Sequence, residues 1–225
     1  MEKDVRTRRS WLSGLGATAA ALVLGSEKAL AQSGESGFRP ARHQEDDWLD
    51  ALPGKHRTFI DTSTADGAGD GLLFANNMYL ANQSGYALGD RDLAIVLCLR
   101  HASTVFAFND AIWAKYGKVL SDRAAFKDPK TQQPPSVNLF NTEGVAGLLN
   151  RGVTFDALAR RGAHFAICSM ATRNLAGLIV KATGGNVDEV VKELMANAIA
   201  NSHFVPAGVV AVNRAQERGY TLLSA

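Results

Sequence analysis

From residue 56 onward, short apolar runs alternate with stretches whose apolar residues recur every three to four positions. The short runs predict strands and the periodic stretches predict helices. Arg57–Asp61 reads as a first short strand, followed by the glycine-rich stretch Thr62–Gly71 and a helix carrying Leu72, Leu73, Ala75, Met78, Tyr79 and Leu80. The second strand, Asp92–Arg100, contains the continuous apolar run Leu93–Leu99, as expected of a central strand covered on both faces. A helix follows with Val105, Phe108, Ile112 and Tyr116 on one face and Asn109 and Trp113 beside them. Next come a short helix from Thr154 to Arg161 closed by Gly162, a strand from His164 to Cys168, and a helix from about Met170 to Lys181 stopped by Gly184 and Gly185. Asn186 opens another helix with Val187, Val190, Val191, Leu194, Ala198 and Ile199 on one stripe. Ser202–Val205 reads as a strand, Pro206 suits a first helical position, the next helix reads Ala207 to Arg218, and Tyr220–Leu223 is a last strand. Five strands separated by helices predict a doubly wound α/β domain with a mostly parallel sheet.

Two segments are less regular. Residues 32–54 are polar, with Trp48, Leu49 and Leu52 as their anchors, and read as a linker or arm. Packing on their own domain and packing on a neighbouring subunit are equally compatible with that pattern. Residues 126–136 form a long polar loop, either a functional lid or contact between subunits, or a disordered excursion.

The first 31 residues read as an export signal rather than as part of the fold. Thr7-Arg8-Arg9-Ser10-Trp11-Leu12 is a twin-arginine pattern, a mildly apolar stretch runs from Leu12 to Leu24, and Ala29-Leu30-Ala31 is a cleavage signal. The expected mature start is Gln32 and the expected location is the periplasm, with no membrane attachment after cleavage. A retained anchor is the alternative. The whole chain carries a formal charge of +2. Residues 1–31 hold five basic and three acidic residues, so 19 of each sign remain beyond them. No basic stripe interleaved with aromatics survives, which argues against a nucleic-acid partner.

Cys168 is the sharpest chemical candidate. It ends a strand where a helix begins, and ligands of open α/β sheets bind outside the carboxyl ends of strands. Unpaired N–H groups and the positive end of the dipole there favour thiolate. Arg173, one turn on, adds positive charge. The opposing reading is a small buried hydrophobe. His101, at the end of the second strand, is either a proton shuttle or an idle rim residue. Asn109 either borders the same crevice or caps backbone. The chain's two cysteines are expected to be free thiols, with Cys98 structural, if their strands are not neighbours.

Other chemistries find no support. The glycine-rich stretch 62–71 lacks the Walker ending and the G-x-G-x-x-G spacing, and Asp66 and Asp70 would repel an anion. A tight loop with helix caps at Asp66 or Asp70 is the expectation. Five scattered histidines form no i, i+4 pair and no H-E-x-x-H, and no G-x-S-x-G elbow occurs. Neither a metal nor a cofactor is expected.

The pieces Leu97–His101 with Phe106–Asp110, Arg160–Cys168 and Val205–Tyr220, in that order, resemble the DsrE/DsrF-like sulfur-relay family over about residues 56–224. The resemblance implies a flavodoxin-like three-layer domain over 55–225 with strand order 2-1-3-4-5, commonly a homo-oligomer. That order would set the first strand between the two cysteine strands. By the same resemblance, Cys168 would carry persulfide sulfur between a donor and an acceptor protein. A non-enzymatic oligomeric ligand-binding or scaffold module with a merely packed Cys168 is the alternative function.

Overall fold

The computed structural model describes residues 39–225, and the twin-arginine segment, its cleavage signal and residues 32–38 of the arm lie outside the described residues. Five strands, β1 (His56–Thr62), β2 (Leu93–Leu99), β3 (His164–Cys168), β4 (Ser202–Val205) and β5 (Thr221–Ser224), form one sheet in the order β4-β3-β2-β1-β5. Every neighbouring pair is parallel. The helices are α1 (Asp47–Ala51), α2 (Ala65–Tyr86), α3 (Asp110–Ala124), α4 (Phe155–Arg160), α5 (Ser169–Thr183), α6 (Val187–Ala196) and α7 (Gly208–Gln216). The result is a three-layer α/β domain of flavodoxin-like type.

Hydrophobic side chains sort the layers. Ile60, Leu97, Leu99, Phe165 and Ile167 point to one face and join a core with Leu72, Ile112, Leu158, Leu175 and Leu194 from α2 to α6. Phe59, Val96, Cys98 and Ala166 point to the other, where Trp48, Leu49 and Leu52 in and beside α1, Ala211, Val212 and Ala215 of α7, and Tyr220 cover them.

The strand order corrects the expected 2-1-3-4-5. That order makes β2 an edge strand, yet all seven β2 residues are buried. A strand apolar throughout needs a hydrogen-bonded neighbour on each side and a layer on each face. β1 carries Arg57, Thr58 and Asp61, and it is flanked by the short, exposed β5.

The stretch 62–71 is also corrected. It is not a loop: α2 starts at Ala65, and Thr64, rather than Asp66 or Asp70, caps it by accepting from the Gly67 N–H at 2.9 Å. Glycine lets the helix approach the sheet here. A Cβ on Gly71 would lie 2.7 Å from Leu97 Cδ1 and 2.9 Å from Thr62 Cγ2.

The helix expected across Val105–Tyr116 is split instead. Ser103–Ala107 is a 3-10 segment, and Asn109 caps a separate α3 by accepting from the Ala111 N–H at 3.1 Å. Pro206 precedes α7 rather than beginning it. Residues 126–136 form an ordered turn in which Asp128 accepts from the N–H groups of Lys130 and Thr131 at 2.8 and 3.0 Å.

Residues 42–54 of the arm pack on their own domain. Residues 42–225 form one compact unit, and Leu49 is 1 % exposed. Tyr220 donates its hydroxyl hydrogen to the Leu49 carbonyl at 2.7 Å, and Arg57 donates to the same carbonyl at 2.9 Å. Among the described residues no helix is long and apolar enough to cross a membrane.

Gly71→Ala is expected to destabilise the domain by about 1–3 kcal/mol, because the added methyl overpacks the α2–sheet contact. Gly85→Ala, in the same helix with open space around it, is expected to stabilise by about 0.5–1 kcal/mol. Urea midpoints of the two variants check both signs.

Candidate functional site

Parallel strands need crossover connections, and right-handed crossovers place their helices according to the direction of travel. From β1 to β4 each step moves one strand the same way, and α2 to α6 all lie on one face. The last connection reverses across the sheet from β4 to β5, and α7 lies on the opposite face. The chain therefore leaves β3 towards one face and β4 towards the other. Such divergence opens a crevice at the carboxyl ends, the usual ligand position in this class of fold.

Cys168 stands at that crevice. It ends β3 beside Val205, the last residue of β4, and is the N-cap of α5, with Sγ accepting from the Ala171 N–H at 3.4 Å. A thiol in place of the usual hydroxyl or carboxylate leaves a polarisable sulfur facing the free N–H groups of the first turn. Thr172 donates its hydroxyl hydrogen to the Cys168 carbonyl at 3.0 Å and fixes the junction. The residue is 7 % exposed, whereas Cys98 is 0 % exposed.

Arg100 supplies the nearby positive charge. In the β2–β3 register Leu99 faces Ile167, so Arg100 continues the ladder beside Cys168. Asp61 holds its guanidinium through two hydrogen bonds of 2.7 and 2.8 Å. Those bonds raise the Arg100 pKa, burial opposes the rise, and the charges of Asp61, Cys98 and Cys168 add to it. Gly208, the first residue of α7, lies over this group: a Cβ there would sit 2.6 Å from Arg100 Cβ and 3.1 Å from Cys98 Sγ. Any side chain at 208 would push Arg100 aside.

Both cysteines are free thiols, though not for the expected reason. Their strands are direct neighbours, because β1 does not separate them. Cys98 pairs with Ala166, two residues short of Cys168. A strand spacing of about 4.8 Å and two rises of about 3.3 Å put the Cα atoms roughly 8 Å apart, beyond the ~7 Å that a bridge tolerates. Burial pushes the Cys98 thiol far above the usual thiol range, and the charges of Asp61 and Cys168 push the same way, against Arg100. Cys98 is a packed hydrophobe.

The other candidate residues separate. Arg173 forms an exposed ion pair with Asp188 at 2.8 Å and is not drawn to the sulfur. His101 sits exposed in the turn after β2, with φ of 55°, on the same sheet edge as Cys168. Asn109 is tied to Asn197 by backbone and side-chain hydrogen bonds of 2.9 and 3.3 Å, near the residues that lead into β4. It is the cap of α3. Arg100, Asp61 and Gly208 form a contact group at this sheet edge that the sequence pattern alone does not single out. The sequence signal is a charged residue that closes each of two strand runs, at Asp61 and Arg100.

A separate groove of about 590 Å³ lies between the first turn of α2, the end of α3 and the 126–149 segment, with Asp66, Phe126, Lys127, Phe140 and Leu149 in its wall. It does not include Cys168. Among the described residues no three His, Cys, Asp or Glu side chains group as metal ligands. Comparison of the chain with protein-family models, with curated proteins and with solved structures found no match.

A thiol count on the denatured, unreduced chain is expected to return both cysteines as free. Asp61→Ala strips Arg100 of its partner and is expected to cost about 1–3 kcal/mol, since a part-buried guanidinium loses its paired acceptors. The urea midpoint should fall with an unchanged slope.

Proposed function

We propose that the domain is a thiol-based carrier of sulfane sulfur that uses Cys168, in the manner of the DsrE/DsrF-like sulfur-relay proteins its sequence resembles. The observation that supports this reading is the place of Cys168: the carboxyl end of β3, the N-cap of α5, and the strand pair whose connections diverge. In the reaction, the Cys168 thiolate attacks the outer sulfur of a donor persulfide. The donor S–S bond breaks, the donor leaves as a thiolate that takes up a proton, and Cys168 holds the transferred sulfur as a persulfide. An acceptor thiolate then repeats the step on that outer sulfur and releases Cys168. No net electron is gained or lost. The Ala171 N–H and the Arg100 guanidinium stabilise negative charge on the sulfur at each stage. The protein is proposed to act in the periplasm after twin-arginine export, as a homo-oligomer that meets a donor or acceptor protein at this edge.

The low exposure of Cys168 favours a second reading, a non-enzymatic binding or scaffold module in which this thiol only packs. Intact mass after incubation with a small-molecule persulfide donor separates the two. Gain of one sulfur atom by the wild type, lost in Cys168→Ser and retained in Cys98→Ser, is the expected result. Equal gain in wild type and Cys168→Ser, or none in any variant, supports the packing role.

A further inference from the structure

We propose that Trp48, His203 and His164 form an acid-released latch that holds the amino-terminal arm against the sheet. The three side chains come from separate parts of the chain. His164 opens β3, His203 lies on β4 opposite Ala166, and Trp48 lies in α1. His164 Nδ1 and His203 Nε2 are 2.8 Å apart, within hydrogen-bond distance. The His203 ring stacks on the Trp48 indole with centroids 3.9 Å apart and planes within 5°. This contact fastens the arm to edge strand β4, while Tyr220 and Arg57 hold its far end near β1.

A hydrogen bond between two neutral imidazoles uses one N–H and one lone pair, so the docked arrangement is complete without charge. Burial, with the charge of His164 adding to it, lowers His203 from 6.5 to about 4, and burial lowers His164. The charged groups on the packed elements are Glu45, Asp46, Asp47 and Asp50 from the arm, Arg214 from α7, Arg218 from the turn after it, and Arg57 from β1. None of them contributes to the acidity of either ring. Asp46 faces Arg214 at 3.8 Å, and Asp50 faces Arg218 at 3.2 Å. Among the described residues no carboxylate contributes to the acidity of either ring. A charged imidazole would be attracted to the indole face, which opposes the effect of burial on the ring.

The sign follows from linkage. An undocked His203 takes a proton near 6.5, whereas the docked ring resists until about 4. Docking is therefore at full strength above 6.5, weakens as pH falls through that window, and levels off below it. Both rings are half-exposed, so the loss is on the order of tenfold in the docking equilibrium rather than tenfold per pH unit. Release would uncover the sheet face around Phe59 and Val96 and free Arg214 of α7 and Arg218 of the following turn from the arm.

The test is a two-dimensional NMR titration of the full chain from about pH 8 to about pH 4, following the His203 ring and the Trp48 indole N–H. The expected result is a His203 midpoint well below 6.5, with the Trp48 signal moving in step. In His203→Gln the Trp48 movement should disappear. Trp48→Ala gives the reciprocal check: coupling is mutual, so loss of the indole must return His203 towards 6.5. A His203 midpoint near 6.5 in the wild type, a Trp48 signal indifferent to pH, or a His203 midpoint unmoved by Trp48→Ala would overturn the latch.

Discussion

The reversal of the chain after β4 is the constraint on which the rest of the structure depends. Four parallel strands added in one direction commit α2 to α6 to a single face. The other face then has only α7 and the arm to cover it, and α7 can reach it only by travelling back across the sheet. That one change of direction splits the paths leaving β3 and β4 and opens the carboxyl edge. It also brings Gly208 over Arg100 and Cys98 and gives the arm a surface to complete.

Much of this is local and was legible in the sequence. His164–Cys168 and Ser202–Val205 are strands with the expected bounds, because an apolar run bounded by turn residues has little choice of conformation. Three other features were decided by tertiary packing. The glycines of 62–71 read as loop by propensity, but a close helix–sheet approach outweighs their conformational cost. The arm was ambiguous because Leu49 and Leu52 look alike whether they bury on their own domain or a neighbour. The order 2-1-3-4-5 rests on resemblance alone, whereas the unbroken apolar run of Leu93–Leu99 argues for a central place. That local pattern was the better guide, since an edge strand would leave one row of its backbone groups unpaired.

The site was legible in part for the same reason. Cys168 stood out because a strand end meeting a helix start is visible along the chain. Arg100, which follows β2, comes beside it only through the register of the sheet, and Asp61 of β1 reaches no further than Arg100. Arg173 and Asn109 were chosen for closeness in sequence or on a periodic face, yet they answer to Asp188 and Asn197. The two thiols of the chain now have different physical characters. Cys98 sits under α7 with its thiol directed to the Gly208 carbonyl at 4.0 Å. Cys168 lies at the crevice against the first turn of α5.

That difference is open to direct measurement. Peptide mapping of the native protein after brief alkylation reports how far each cysteine has reacted before the fold opens. Label on the Cys168 peptide, with the Cys98 peptide unmodified until denaturant is added, is the result expected of a sulfur placed at an open carboxyl edge. Equal protection of both peptides until global unfolding would contradict it, and would make the crevice a closed seam.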